Sequence, residues 1–174
     1  MAHEDGIYWY QPDPRAILPL NAVHVPRSLQ RTMGKRPYQL HVNTAFEAVM
    51  RFCAAPAPGR EETWINEELI VAYTRLHQLG YAHSVESWHN GRLVGGLYGI
   101  SIGGFFAGES MFSREPDASK IALIHLIERL NTRRFQLLDV QFMTNHLRRF
   151  GAVEIPDAQY QEKLHHALLI DTAF

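Results

Sequence analysis

The stretch from Ala82 to Phe112, AHSVESWHNGRLVGGLYGISIGGFFAGESMF, constrains the fold of this chain more than any other. Two apolar runs rich in β-branched and aromatic residues flank Asn90-Gly91. That dipeptide suits a two-residue turn in which both positions need φ > 0, the strongest short hairpin signal a sequence carries. GGFFAGESMF then reads as the third strand of a meander. Whatever else the chain does, it has to build outward from an antiparallel sheet.

The flanking segments follow other periods. Pro12, Pro14, Pro19, Pro26 and Pro37 punctuate the start and argue against long helices there. YQLHV reads as a short strand, and Asn43 as the N-cap of a helix whose Phe46, Val49, Met50 and Cys53 share a side. APAPGREE reads as a loop. In NEELIVAYTRLHQLG, Leu69, Ile70, Tyr73 and Leu76 line one helical face, and Gly80 marks its end. Beyond the meander, Asp117 is placed to cap a helix that buries Ile121, Leu123, Ile124, Ile127 and Leu130. FQLLDVQF is a strand, Thr144 caps a short helix ending at Gly151, and Asp157 caps a last one. The plan is mixed α/β (α+β). Its element order matches an N-acetyltransferase-like (GNAT-like) fold, a mixed sheet flanked by helices with a short irregular N-terminal segment.

A chain of 174 residues suffices for one sizeable domain with a full core. The formal net charge of -1 points to no polyanionic partner, yet charge is unevenly spread. Between Arg15 and Phe46 lie five basic residues, Arg15, Arg27, Arg31, Lys35 and Arg36, and no acidic one. They form either a solvated face or a binding surface. The single cysteine, Cys53, excludes an intrachain disulfide and a Cys-rich zinc site, and its helical spacing predicts a buried thiol. MAHEDGIYWYQ has neither a basic nor an apolar leader region, and no apolar run reaches the roughly 18 residues of a membrane span. The expected compartment is the cytoplasm.

Ten histidines raise the question of a metal, but they give no H-E-x-x-H and no cysteine partner, so no metal site is expected. G-x-S-x-G is absent too, which argues against a covalent acyl-enzyme. The unusual feature is LLDVQF. Strand alternation predicts that Asp139 and Gln141 share a face with Leu137, opposite Leu138, Val140 and Phe142. A carboxylate inside so apolar a strand is solvated at an edge, caps a turn, or works. Glu109 poses the same question in FFAGESMF.

YWYQPDPRAILP, TWI, GYAHSVESWHNGRLVGGLYG, GESMFSREPDASKIAL, LLDVQF and GAVEIP, in that order, resemble the leucyl/phenylalanyl-tRNA–protein transferase family from about Gly6 to Leu164. The resemblance implies a cytoplasmic aminoacyltransferase. It would move Leu or Phe, less readily Met, from aminoacyl-tRNA to the α-amine of proteins with N-terminal Arg or Lys, marking them for degradation. No metal or coenzyme is implied. Asp139 and Gln141 match the carboxylate and amide at the family's reaction centre. Leu97, Phe106, Met111, Leu123, Leu126 and Leu138 match its amino-acid pocket, although at Leu123 and Leu138 a plain core role stays equally open. Trp64 would face the terminal adenosine and Glu109 would help hold the donor end. Arg27, Arg31, Lys35 and Arg36 would contact acceptor-stem phosphates, with Arg15 as a further member.

Residues 1–37 then correspond to the remnant of a small N-terminal domain and 38–174 to the catalytic domain. Family members usually carry a longer N-terminal segment, and Leu126 stands where some relatives have an aromatic. Phe106 and Met111 lie five apart, so a straight strand would send them to opposite faces; a bulge or bend at Gly108 is expected. Coenzyme A acyltransferases seat a pyrophosphate on a glycine-rich loop at a helix N-terminus. FSREPDASK offers no glycine there and two acids, Glu115 and Asp117, so the donor is not coenzyme A. The competing readings are a small-molecule N-acyltransferase of the same fold and an inactive module that binds tRNA or degrons.

Overall fold

The computed structural model describes residues 2–3, 6–7, 10–56 and 63–174. Tyr8 and Trp9 of the first motif, and residues 57–62 of the loop expected after the first long helix, lie outside them. The elements in chain order are β1 (Ala2–His3), β2 (Gly6–Ile7), β3 (Arg15–Ile17), α1 (Arg27–Gly34), β4 (Gln39–Val42), α2 (Phe46–Ala54), α3 (Glu67–Gln78) and β5 (Ala82–His89). They continue with β6 (Arg92–Ile102), β7 (Phe105–Ser113), α4 (Ala118–Thr132), β8 (Leu137–Gln141), α5 (Asn145–Arg148), β9 (Val153–Ile155) and α6 (Asp157–Leu168).

Seven strands form one mixed sheet in the order β4-β5-β6-β7-β8-β3-β9. The meander is its backbone: β5 to β7 pair antiparallel, and Asn90 and Gly91 turn with φ of 50° and 72°. Between β7 and β8 the pairing is parallel, which the intervening α4 makes possible by carrying the chain back over the sheet. Nearly every apolar residue of α4 is buried, and with Leu97, Phe106 and Leu138 they make one core cluster. On the opposite face α2 and α3 build a second cluster around Val49, Met50, Cys53 and Tyr98. Helix α6 closes a third over Ile17, Leu137 and Ile155.

The prolines concealed two elements in the N-terminal segment. Residues 15–17 form a strand between β8 and β9, and Pro26 opens the eight-residue helix α1, whose Leu29 is buried. One capping expectation holds, Thr144 accepting from Leu147 N, and Asn66, which the sequence reading did not name, caps α3 by accepting from Leu69 N. Three other expectations fail. Asn43 precedes α2 in a left-handed conformation (φ 61°), its amide bonded to His83 and Ser84. Asp117 stands at the N-cap of α4 but makes no capping bond; its carboxylate takes Lys120 Nζ at 2.5 Å. Asp157 is the first helical residue of α6, after an N-cap at Pro156. Among the described residues no helix is long and apolar enough to cross a membrane.

Candidate active site

Strands β7 and β8 pair over Phe105–Ala107 and Leu137–Asp139 only. Beyond that point each strand carries one residue too many for its other neighbour. On β7, Tyr98 pairs with Ser110 and Gly99 with Gly108, which leaves Glu109 as the extra residue of a bulge. The bend expected at Gly108 is there, one position from where the sequence placed it. On β8, Ala16 pairs with Gln141 and Ile17 with Asp139, which leaves Val140 extra. Bulges re-aim side chains and end pairing. Here two of them flank the place where the parallel strands stop pairing, and a cavity of about 360 Å³ opens there.

The bulge at Val140 overturns the simple alternation of LLDVQF. Gln141 has φ of 63° and lines the cavity with Leu138 and Val140, whereas Asp139 faces α6 and is fully buried. Its strand lies inside the sheet, so the solvated-edge reading also falls. Every Asp139 contact comes from behind the cavity wall. Arg15 donates through Nε at 3.2 Å to both oxygens and through a terminal nitrogen at 2.6 Å, Tyr160 Oη donates at 2.8 Å, and Gln141 N donates at 2.8 Å. The last bond fixes the left-handed backbone that turns Gln141 outward. Arg15, grouped by sequence with the basic cluster, is withdrawn from it.

Of the other residues singled out by sequence, Trp64, Leu97, Glu109, Met111, Leu123, Leu126 and Leu138 line the cavity together with Gln141. Leu123 and Leu138 belong to the core cluster as well, as do Leu97 and Leu126. Phe106 is not in the lining. Its ring lies over Gly99, where an added Cβ would come within 2.4 Å of it, and packs on Phe174 at 5.2 Å. It supports the wall from beneath. Sequence reasoning missed Tyr98, Phe142, Thr144, His146 and Leu147, all in the lining. The last three come from α5 and its cap, whose sequence signal marks a helix start and says nothing of its neighbours.

Among the described residues Glu109 is the only carboxylate in this lining, whose walls are mostly apolar. Burial pushes it up to about 7; the polar side chains of Gln141 and Tyr73 nearby oppose the rise, while the negative charge of Asp139 adds to it. Tyr73, on α3, is raised in turn by its own burial and by Glu109. At the far end, Glu115 pairs with His89 at 2.8 Å, and Asp117 with Lys120. Arg27, Arg31, Lys35 and Arg36 are exposed along α1 and just past its end, and among the described residues none is paired with a carboxylate. Among the same residues, no three His, Cys, Asp or Glu side chains gather as a metal site.

The family model for leucyl/phenylalanyl-tRNA protein transferase matches residues 17–165, which include this cavity. The chain belongs to that family. It is therefore an aminoacyltransferase. The leucyl/phenylalanyl-tRNA–protein transferase of Paramagnetospirillum magneticum (strain ATCC 700264 / AMB-1) is 54% identical over 165 residues, covering 95% of this chain and 79% of that one. The same-named protein of Herpetosiphon aurantiacus is 53% identical, covering 98% and 88%. Among solved structures, an aminoglycoside N-acetyltransferase in complex with CoA is similar at 15% identity and a TM-score of 0.42, covering 79% of this chain and 91% of that one.

Proposed function

We propose that the chain transfers leucine or phenylalanine, and less readily methionine, from tRNA to the α-amine of proteins that begin with Arg or Lys, and so marks them for degradation. The observation that supports this best is the cavity itself: apolar walls of Leu97, Met111, Leu123 and Leu126, with the carboxylate of Glu109 and amide of Gln141 together at one side. An apolar side chain suits such walls, whereas a charged one would be stranded there. Its ester carbonyl would then lie toward Gln141. Trp64, at the rim, suits the terminal adenosine, and the exposed cations of α1 suit acceptor-stem phosphates.

Aminolysis of an activated ester needs positioning, proton transfer and support for the oxyanion. By sequence, Asp139 is the group expected to orient the amine and take its proton. Its carboxylate is enclosed by Arg15, Tyr160 and the Gln141 backbone, which suits a different role. Asp139 places Gln141, and Gln141 meets the reacting centre.

The test is competition of charged Leu-, Phe-, Met-, Ile- and Glu-tRNAs for a limiting Arg-initiated peptide, with acetyl-CoA in a parallel arm. Cβ-branched Ile crowds a narrow mouth, and differences of a methylene in an apolar pocket are worth about 1–3 kcal/mol. Leu and Phe should therefore beat Ile by roughly ten- to two-hundred-fold, with no transfer of Glu. Ile reacting as well as Leu removes the pocket assignment; product from acetyl-CoA removes the donor class.

A further inference from the structure

We infer that Glu109 is the proton carrier of the transfer step, taking the proton from the attacking amine and delivering it to the departing ribose oxygen. The inference rests on the aminoacyl-transfer reading above.

The position of Glu109 carries it. The side chain belongs to the extra residue of the β7 bulge and lines the cavity beside Gln141, where β7 and β8 cease to pair. Its polar neighbours Gln141 and Tyr73 are neutral, and among the described residues no cation is paired with it. A carboxylate so placed can change protonation without breaking an ion pair. Asp139 cannot: it is shut from the cavity and bound to a guanidinium at 2.6 Å.

The step balances. The amine nitrogen attacks the ester carbon and a C–N bond forms, while the surplus proton on nitrogen passes to the Glu109 carboxylate. The ester C–O bond then breaks, and the ribose oxygen leaves with that proton. Glu109 returns to its starting charge, and no other reactant is consumed. Proton transfer is most effective when the carrier's pKa lies near the working pH. Burial holds Glu109 at about 7, close to the 7.7–8.0 of an α-amine.

Among the described residues the polar groups around it are few. Asp139 and Gln141 approach from β8, Arg15 from β3, Tyr73 from α3, Tyr98 from β6 and His146 from α5. Burial keeps the Tyr98 hydroxyl well above, and the His146 ring below, their ordinary values.

The experiment is the pH dependence of kcat/KM for Phe-tRNA and an Arg-initiated peptide, in the wild type, Glu109→Gln and Glu109→Asp. Wild-type transfer needs both a neutral amine and an ionised Glu109, so log kcat/KM should rise with a slope near 2 below about pH 6.5. Glu109→Gln should lose roughly 10²–10⁴ in kcat and keep a slope near 1, that of the amine alone. Glu109→Asp should recover part of the rate and the slope of 2. A slope of 2 retained in Glu109→Gln overturns the inference, as does a raised KM for Phe-tRNA at unchanged kcat, which would make Glu109 a donor contact only. Wild-type protein that makes no product from Leu- or Phe-tRNA at any pH overturns the transferase reading with it.

Discussion

Two glutamates two strands apart in the same sheet, one buried and one half-buried, behave in opposite ways. Glu86, on β5, has no exposed surface and lies beneath the start of α2. Its Oε1 accepts from Thr44 N (2.9 Å), Ala45 N (2.8 Å) and Ser84 Oγ (2.8 Å), and its Oε2 from the Thr44 hydroxyl and Trp88 Nε1 (3.2 Å). Burial alone would raise it, but these donors outweigh burial and hold it below the ordinary carboxylate value. It ties down the two residues just before α2, Thr44 and Ala45, by their backbone N–H groups. Glu109 is half-buried, lacks such a set of donors, and ends at about 7. Satisfied, a buried acid is a structural part; half-satisfied, it is available for chemistry.

The largest expected effect on stability comes from a third acid, where a cation replaces the neutral donors. Asp139→Asn leaves a largely buried Arg15 without its counter-charge, a loss on the order of 3–5 kcal/mol by denaturant unfolding. Turnover should fall with it, at nearly unchanged affinity for charged tRNA, because Asp139 acts through Gln141. Unchanged kcat in the folded variant would show that the Gln141 backbone holds its conformation unaided.

Glu86→Gln comes next. Either amide orientation turns an N–H group toward donors, so about 2–3 kcal/mol should be lost while the pH profile of transfer stays that of the wild type. If Glu86→Gln instead shifted that profile, the division between structural and chemical acid would fail.

The smallest effect has a sign that separates the two glutamates. Glu109 sits above its ordinary value of 4.5 when folded, so its contribution to stability is complete below that value and is lost as pH rises through about 7. Glu109→Gln should remove this decline and change stability by no more than about 1 kcal/mol at about pH 4, where the acid is protonated in both states. Glu86 sits below its ordinary value, so its contribution is present above 4.5 and is lost as pH falls from there. Parallel slopes for the two variants against the wild type would contradict the contrast.

The sequence alone determined much of the framework. The strands 82–89 and 92–102 stand where alternation and Asn90-Gly91 put them, and α4 buries the side its 3.6-residue period named. Those signals are local: a turn or a helical face is specified by residues a few positions apart. The motifs also named half of the cavity wall, with Glu109 in it and Asp139 behind it. Tertiary structure alone decided what each acid does. Arg15 and Asp139 are 124 residues apart, and they meet because a three-residue strand hidden among prolines inserts beside β8. The bulges at Glu109 and Val140 are mismatches with partner strands, so neither chain segment contains them by itself. A carboxylate's charge state depends on how many donors reach it and how much water is excluded, and both are fixed by segments far away in sequence.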